Sequence, residues 1–93
     1  MFISFDPAKD IINQNKHGIS LASADSLEWE YLLSKEDDSL QYDEIRMKGF
    51  APIGNKLFCV IYTDREGDER RIISLRLATN SERRDYVRFF NTP

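Results

Sequence analysis

Cysteine is almost missing from this chain, and so are most of the residues that announce a familiar cofactor. Cys59 is the only cysteine in 93 residues. That excludes an intramolecular disulfide and a multi-cysteine metal centre, and its place in the apolar run LFCVIY reads as a small buried hydrophobe rather than a reactive thiol. No Walker loop, dinucleotide fingerprint, zinc-ligand spacing or Gly-x-Ser-x-Gly elbow occurs, so neither a cofactor nor a metal is expected. No apolar run approaches the length that crosses a bilayer, and the N-terminus, MFISFDPAKD, lacks the basic and long apolar regions of a signal peptide. A cytoplasmic protein with no membrane contact is the expectation. A strong excess of positive charge is absent too: the net charge is −3 and the pI about 5.1.

What is present is one domain's worth of chain, 41% hydrophobic and 31% charged, the composition of an ordinary globular domain. The average charge hides an asymmetry. Leu21 to Ile45 holds eight acids against Lys35, whereas Arg46 to Arg88 holds ten bases against six acids. One part of the molecule is therefore suited to a polyanion.

Read in order, Phe2 to Phe5 is a short strand, and Asp6-Pro7 starts a helix that Gly18 ends after Lys16 and His17. Ser20 or Ser23 opens a second helix, whose apolar residues repeat at three and four positions as far as about Leu33. Ser34 to Tyr42 is acidic, has no period, and reads as a loop. Glu44 to Phe50 alternates as a strand, with Pro52 and Gly54-Asn55 in the following turn. Lys56 to Thr63 is the most apolar strand. Asp64 to Asp68 is a turn, and Arg70 to Leu77 is the last strand. Thr79, Asn80 or Ser81 then caps a helix carrying Glu82, Tyr86, Phe89 and Phe90. The expected fold class is α+β: a small antiparallel sheet of three core strands plus a short N-terminal strand, with two N-terminal helices and one C-terminal helix.

The residues left to carry chemistry are one histidine, several arginines and scattered acids. His17 titrates near neutrality, but a histidine at a helix end also caps free carbonyls, and spacing alone puts the cap first. Arg70 and Arg76 share parity on an ideal strand while Arg71 has the opposite one, so two of the three can point together. A guanidinium pair suits a phosphodiester; salt bridges with Asp68, Glu69 and Glu82 are the plainer use. Arg83, Arg84 and Arg88 alone read as a solvated helix face, and Trp29 and Tyr31 as core.

Two blocks resemble the BrnT family of ribonuclease toxins from type II toxin-antitoxin systems. The first is DPAKDIINQNKHGIS, with Asp6, Pro7, Lys9, Asn13, Lys16, His17, Gly18 and Ile19 at the family's positions. The second is RIISLRLATNSERRDY, with Arg71, Ile73, Ser74, Arg76, Ala78, Thr79, Glu82, Arg83 and Tyr86. RMKGF and KLFCVIYTDR are similar to the family's middle strands. Leu21 stands where the family commonly has an aromatic, and the acidic pI is a second departure.

The resemblance implies a RelE-like fold and metal-independent endoribonuclease activity that inhibits translation. It also implies a BrnA-type antitoxin as partner, which neutralises the toxin and with it binds promoter DNA. By the same resemblance His17, Arg71 and Arg76 become the catalytic candidates, with Glu28 as a further general-base candidate. Lys16, Arg46, Arg70 and Arg83 become RNA contacts. The alternative is a catalytically degenerate toxin that retains antitoxin binding and promoter repression.

Overall fold

Asp6 and Pro7 do at the backbone what their chemistry dictates. In the computed structural model, which describes residues 1–37 and 44–92, the Asp6 carboxylate accepts from the Ala8 amide at 2.9 Å, and helix α1 runs over Pro7–His17. Gly18 ends it in the left-handed conformation (φ 71), its N–H donating to the Gln14 carbonyl. Only glycine takes that backbone without a Cβ penalty.

The second helix is corrected. Leu21–Ser26 and Trp29–Tyr31 are two 3₁₀ segments, and Leu27 between them is extended. Leu21, Ala24 and Leu27 are all buried, and a spacing of three is the one that a 3₁₀ turn stacks on a single side. Ser20 caps the first segment by accepting from Ala22 N, and the serines there compete for the local backbone in a way that disfavours a long α-helix. Leu21 is fully buried at the centre of the core.

The sheet has five strands rather than four: β1 (Phe2–Phe5), β2 (Leu33–Glu36), β3 (Met47–Ile53), β4 (Lys56–Arg65) and β5 (Glu69–Leu77), in the order β1-β5-β4-β3-β2. β1 runs parallel to β5 and the other pairs are antiparallel. β2 takes the first residues of the expected loop. It is short, polar and at the sheet edge, where charge is used to blunt pairing and hides the strand pattern. Residues 38–42 of that expected loop lie outside the described residues.

Pro52 belongs to β3, not to the turn. β2 pairs β3 only as far as Phe50, so Pro52 faces no outer strand that needs its missing N–H, and its carbonyl accepts from Glu28 N at 2.9 Å. Gly54, at φ 60, opens the two-residue turn with Asn55.

Leu21, Ala24, Leu27, Ala51, Phe58, Val60, Tyr62, Ile72 and Leu75 form the core between one face of the sheet and the 3₁₀ segments. Each large member buried this way contributes about 1.5–3 kcal/mol. Helix α2 (Asn80–Asn91) begins with a capping box between Thr79 and Glu82 and lies on the opposite face, beside β2 and β3. No described helix is long and apolar enough to cross a membrane.

Candidate active site

A β-bulge decides which arginines meet. Ile61 pairs with Ser74 but Tyr62 pairs with Ile72, which leaves Ile73 as the extra residue. Ile72 and Leu75, three apart, are consequently both buried in the core. Their neighbours Arg71 and Arg76 therefore point to the other, outer face, and Arg70 does not. Simple alternation, which puts Arg70 with Arg76, is corrected by this one inserted residue.

Arg70 lies over the rings of Trp29 and Tyr62, its guanidinium carbon 4.8 and 4.4 Å from their centroids. Asp64 grips it through two hydrogen bonds of 2.7 and 3.0 Å. That is a packing role, and Trp29 packs against the core as expected, whereas Tyr31, also read as core, is exposed.

At the far end of β5, Asn13 builds the site. β1 pairs β5 only through Ile72, so the edge beyond it needs another partner. The buried Asn13 amide supplies one: Nδ2 donates to Leu75 O at 2.8 Å and to Ile19 O at 2.9 Å, while Leu75 N donates to Asn13 Oδ1 at 3.1 Å. One helical turn later comes His17, which is thereby carried alongside Arg76. The imidazole is held below its ordinary pKa by burial first, then by the positive charges of Lys16 and Arg76. It is neutral at pH 7, with a lone pair available to accept a proton. Glu28 is not among the charges that act on it; its N–H is bound at Pro52 and its charge acts on Tyr86.

Arg76 and Glu82 form a two-bond ion pair, Nη1 to Oε1 at 2.8 Å and Nη2 to Oε2 at 3.0 Å. The hydrogen bond from Arg76 holds the Glu82 carboxyl at about 2, against an ordinary 4.5. Arg76 Nη1 also donates to Leu77 O. These bonds use three of its five N–H groups, so two donors remain for a ligand. Lys48 Nζ stands 4.0 Å from the same carboxylate.

A groove of about 420 Å³ opens here between α2 and the outer strands, lined by Lys48, Phe50, Glu82, Tyr86 and Phe89 among others. Lys48 was not singled out from sequence. Its alternation with the buried Gly49 in β3 was the available signal.

The remaining candidates disperse. Arg71 sits five residues before Arg76, roughly 13–17 Å along the strand at ~3.3 Å per residue with the bulge between them, and lines a recess with Arg46, Arg65 and Lys9. Arg71 and Arg76 thus share a face without forming one clamp. Lys16 is exposed beside His17, and Arg83 is exposed on α2, bordering shallow depressions with Asn80 and Arg84. Cys59 is buried beneath Arg76, its cross-strand partner, and burial pushes its thiol up.

Comparison with known proteins gives a consistent result. The family model described as "Ribonuclease toxin, BrnT, of type II toxin-antitoxin system" matches residues 5–82. A crystal structure of the Brucella abortus ribonuclease toxin BrnT is similar, with a TM-score of 0.61 and 25% identity over 84% of this chain and 96% of that one. No curated protein matches. The match takes in the first sequence block, the strands that follow and the second block as far as Glu82, so this chain belongs to the BrnT family of ribonuclease toxins of type II toxin-antitoxin systems.

Proposed function

We propose that this chain is a metal-independent endoribonuclease whose reaction centre is built from His17 and Arg76 on the outer face of the sheet. The observation that carries the reading is the family match over residues 5–82; the positive charge of Arg76 acting on the His17 imidazole supports a pairing of the two. His17 takes the proton of a ribose 2′-hydroxyl as its oxygen bonds to the adjacent phosphorus. Arg76 donates to the non-bridging oxygens, where charge grows in the pentacoordinate transition state. The bond to the 5′-oxygen then breaks, and that oxygen takes a proton from the imidazolium or from Lys16. The products are a 2′,3′-cyclic phosphate and a free 5′-hydroxyl. Glu82 holds the guanidinium in plane, and Glu28 has no part in the step.

Cleavage of this kind in the cytoplasm inhibits translation, and a BrnA-type antitoxin neutralises the toxin and with it binds promoter DNA. Exposed apolar side chains on α1 (Ile11, Ile12) and α2 (Val87, Phe89, Phe90) favour such a partner. The Arg76–Glu82 pair favours a second reading as well, because a guanidinium already neutralised is a weaker clamp; on that reading the chain is a degenerate toxin that only binds antitoxin. Controlled expression separates the two. Growth arrest with loss of total RNA, relieved by Arg76→Ala, supports the nuclease. A soluble, folded and harmless wild type supports the degenerate form.

A further inference from the structure

We infer that the recess formed by Lys9, Arg46, Arg65 and Arg71 is a second phosphate-binding subsite that holds the RNA backbone away from the scissile bond. The inference rests on the ribonuclease reading only for the identity of the polyanion.

The recess has a volume of about 220 Å³ and is lined by those four cations, Asp6, Glu44 and the strand residues Ile72 and Ile73. Both carboxylates that line it have partners, and of the cations Arg46 and Arg65 are engaged as well, which leaves Arg71 as the group on which the subsite rests. Asp6 caps α1 through Ala8 N. Glu44 pairs with Arg65 at 3.2 Å, both side chains more than 40% exposed, a contact weak enough for an anion to displace.

Arg71 makes no ion pair or side-chain hydrogen bond among the described residues, although it is half-buried. Both other β5 arginines are gripped by carboxylates. The acid nearest Arg71 in register on its own face, Glu69, accepts instead from Ser4 Oγ. On the adjacent strand, buried Thr63 pairs with Arg71 and donates to Ile45 O at 2.7 Å. That bond fixes the backbone just before Arg46 and brings Arg46 to the recess.

A half-buried planar guanidinium without a carboxylate, flanked by other cations, fits the paired oxygens of a phosphodiester. The recess shares the outer face with Arg76, roughly 13–17 Å along β5, so one single strand can reach both.

The test uses the full chain and a fluorescent single-stranded 2′-O-methyl RNA, which cannot be cleaved by 2′-oxygen attack. Binding is measured across salt concentrations for wild type, Arg71→Gln, Arg71→Lys and Arg84→Gln, with melting curves confirming folding. Arg71→Gln is expected to weaken binding several-fold and to lower the slope of log K against log salt by about 0.7, the value of one single-strand phosphate contact. Arg71→Lys keeps the slope and Arg84→Gln keeps both. Unchanged affinity and slope in folded Arg71→Gln, or no binding by wild type, overturns the subsite. A wild type that shows the slope effect but cleaves no ordinary RNA leaves the subsite standing and removes the nuclease reading. Cleavage with no Arg71 effect does the reverse.

Discussion

Replacing Glu82 by glutamine removes a charge while keeping an amide that can still close the capping box, because Gln serves at that position as Glu does. The loss is therefore the ion pair with Arg76. Holding the carboxyl at about 2 rather than 4.5 corresponds to roughly 3 kcal/mol at 1.36 kcal/mol per unit. Partial solvent access, 28% for the Arg76 side chain and 20% for Glu82, screens this to about 1–2 kcal/mol. For a domain of this size that lowers Tm by about 5–10 °C at pH 7. The sign follows from a folded pKa depressed below the unfolded one. The stabilisation is complete above 4.5 and disappears as pH falls through the range from 4.5 toward 2. Urea unfolding followed by Trp29 fluorescence measures the gap between wild type and Glu82→Gln at each pH. The gap should close at the acid end. Equal stabilities at pH 7, or a gap that persists undiminished at pH 2, would refute the role given to the pair.

Asn13→Ala leaves the amide and carbonyl of Leu75 and the carbonyl of Ile19 without their partner, and should cost about 3–4 kcal/mol. Asn13→Asp keeps an acceptor but loses both donor bonds, so it should be nearly as damaging; denaturant midpoints check both, and a loss under 1 kcal/mol would be inconsistent with the three bonds. RNA cleavage should be flat above pH 7 and fall in acid with a midpoint below the ordinary histidine value of about 6.5, because burial and the charges of Lys16 and Arg76 disfavour the imidazolium. A kcat/KM profile that keeps its full value to pH 4 would remove His17 as the base.

Strong local signals in the sequence led directly to structure. Asp6-Pro7 and Gly18 bound α1, and Thr79 with Glu82 starts α2, because capping is decided by a few adjacent residues. The apolar run through Cys59 became the central strand. Non-local features were hidden. Leu21, Ala24 and Leu27 fit an α-helix and a 3₁₀ turn equally well, and tertiary burial chose the latter. β2 is polar because it is an edge, and Pro52 is tolerated because no strand pairs with its side of β3. The bulge at Ile73 has no mark in the residue pattern, yet it sends Arg71 to the face of Arg76 and Arg70 to the rings of Trp29 and Tyr62. Asn13 stood in the family motif without a stated reason; its reason is the open edge of β5, visible only once β1 is seen to stop at Ile72.

The most direct test is the chemistry of the RNA ends. Antitoxin-free protein is incubated with a single-stranded RNA in EDTA, beside His17→Ala and Arg76→Ala. The expected result is cleavage by wild type to 2′,3′-cyclic phosphate and 5′-hydroxyl ends, with the rate reduced at least about 100-fold in either variant. Intact RNA with folded wild type, cleavage that requires added metal, or unchanged rates in both variants would contradict a reaction centre built on His17 and Arg76.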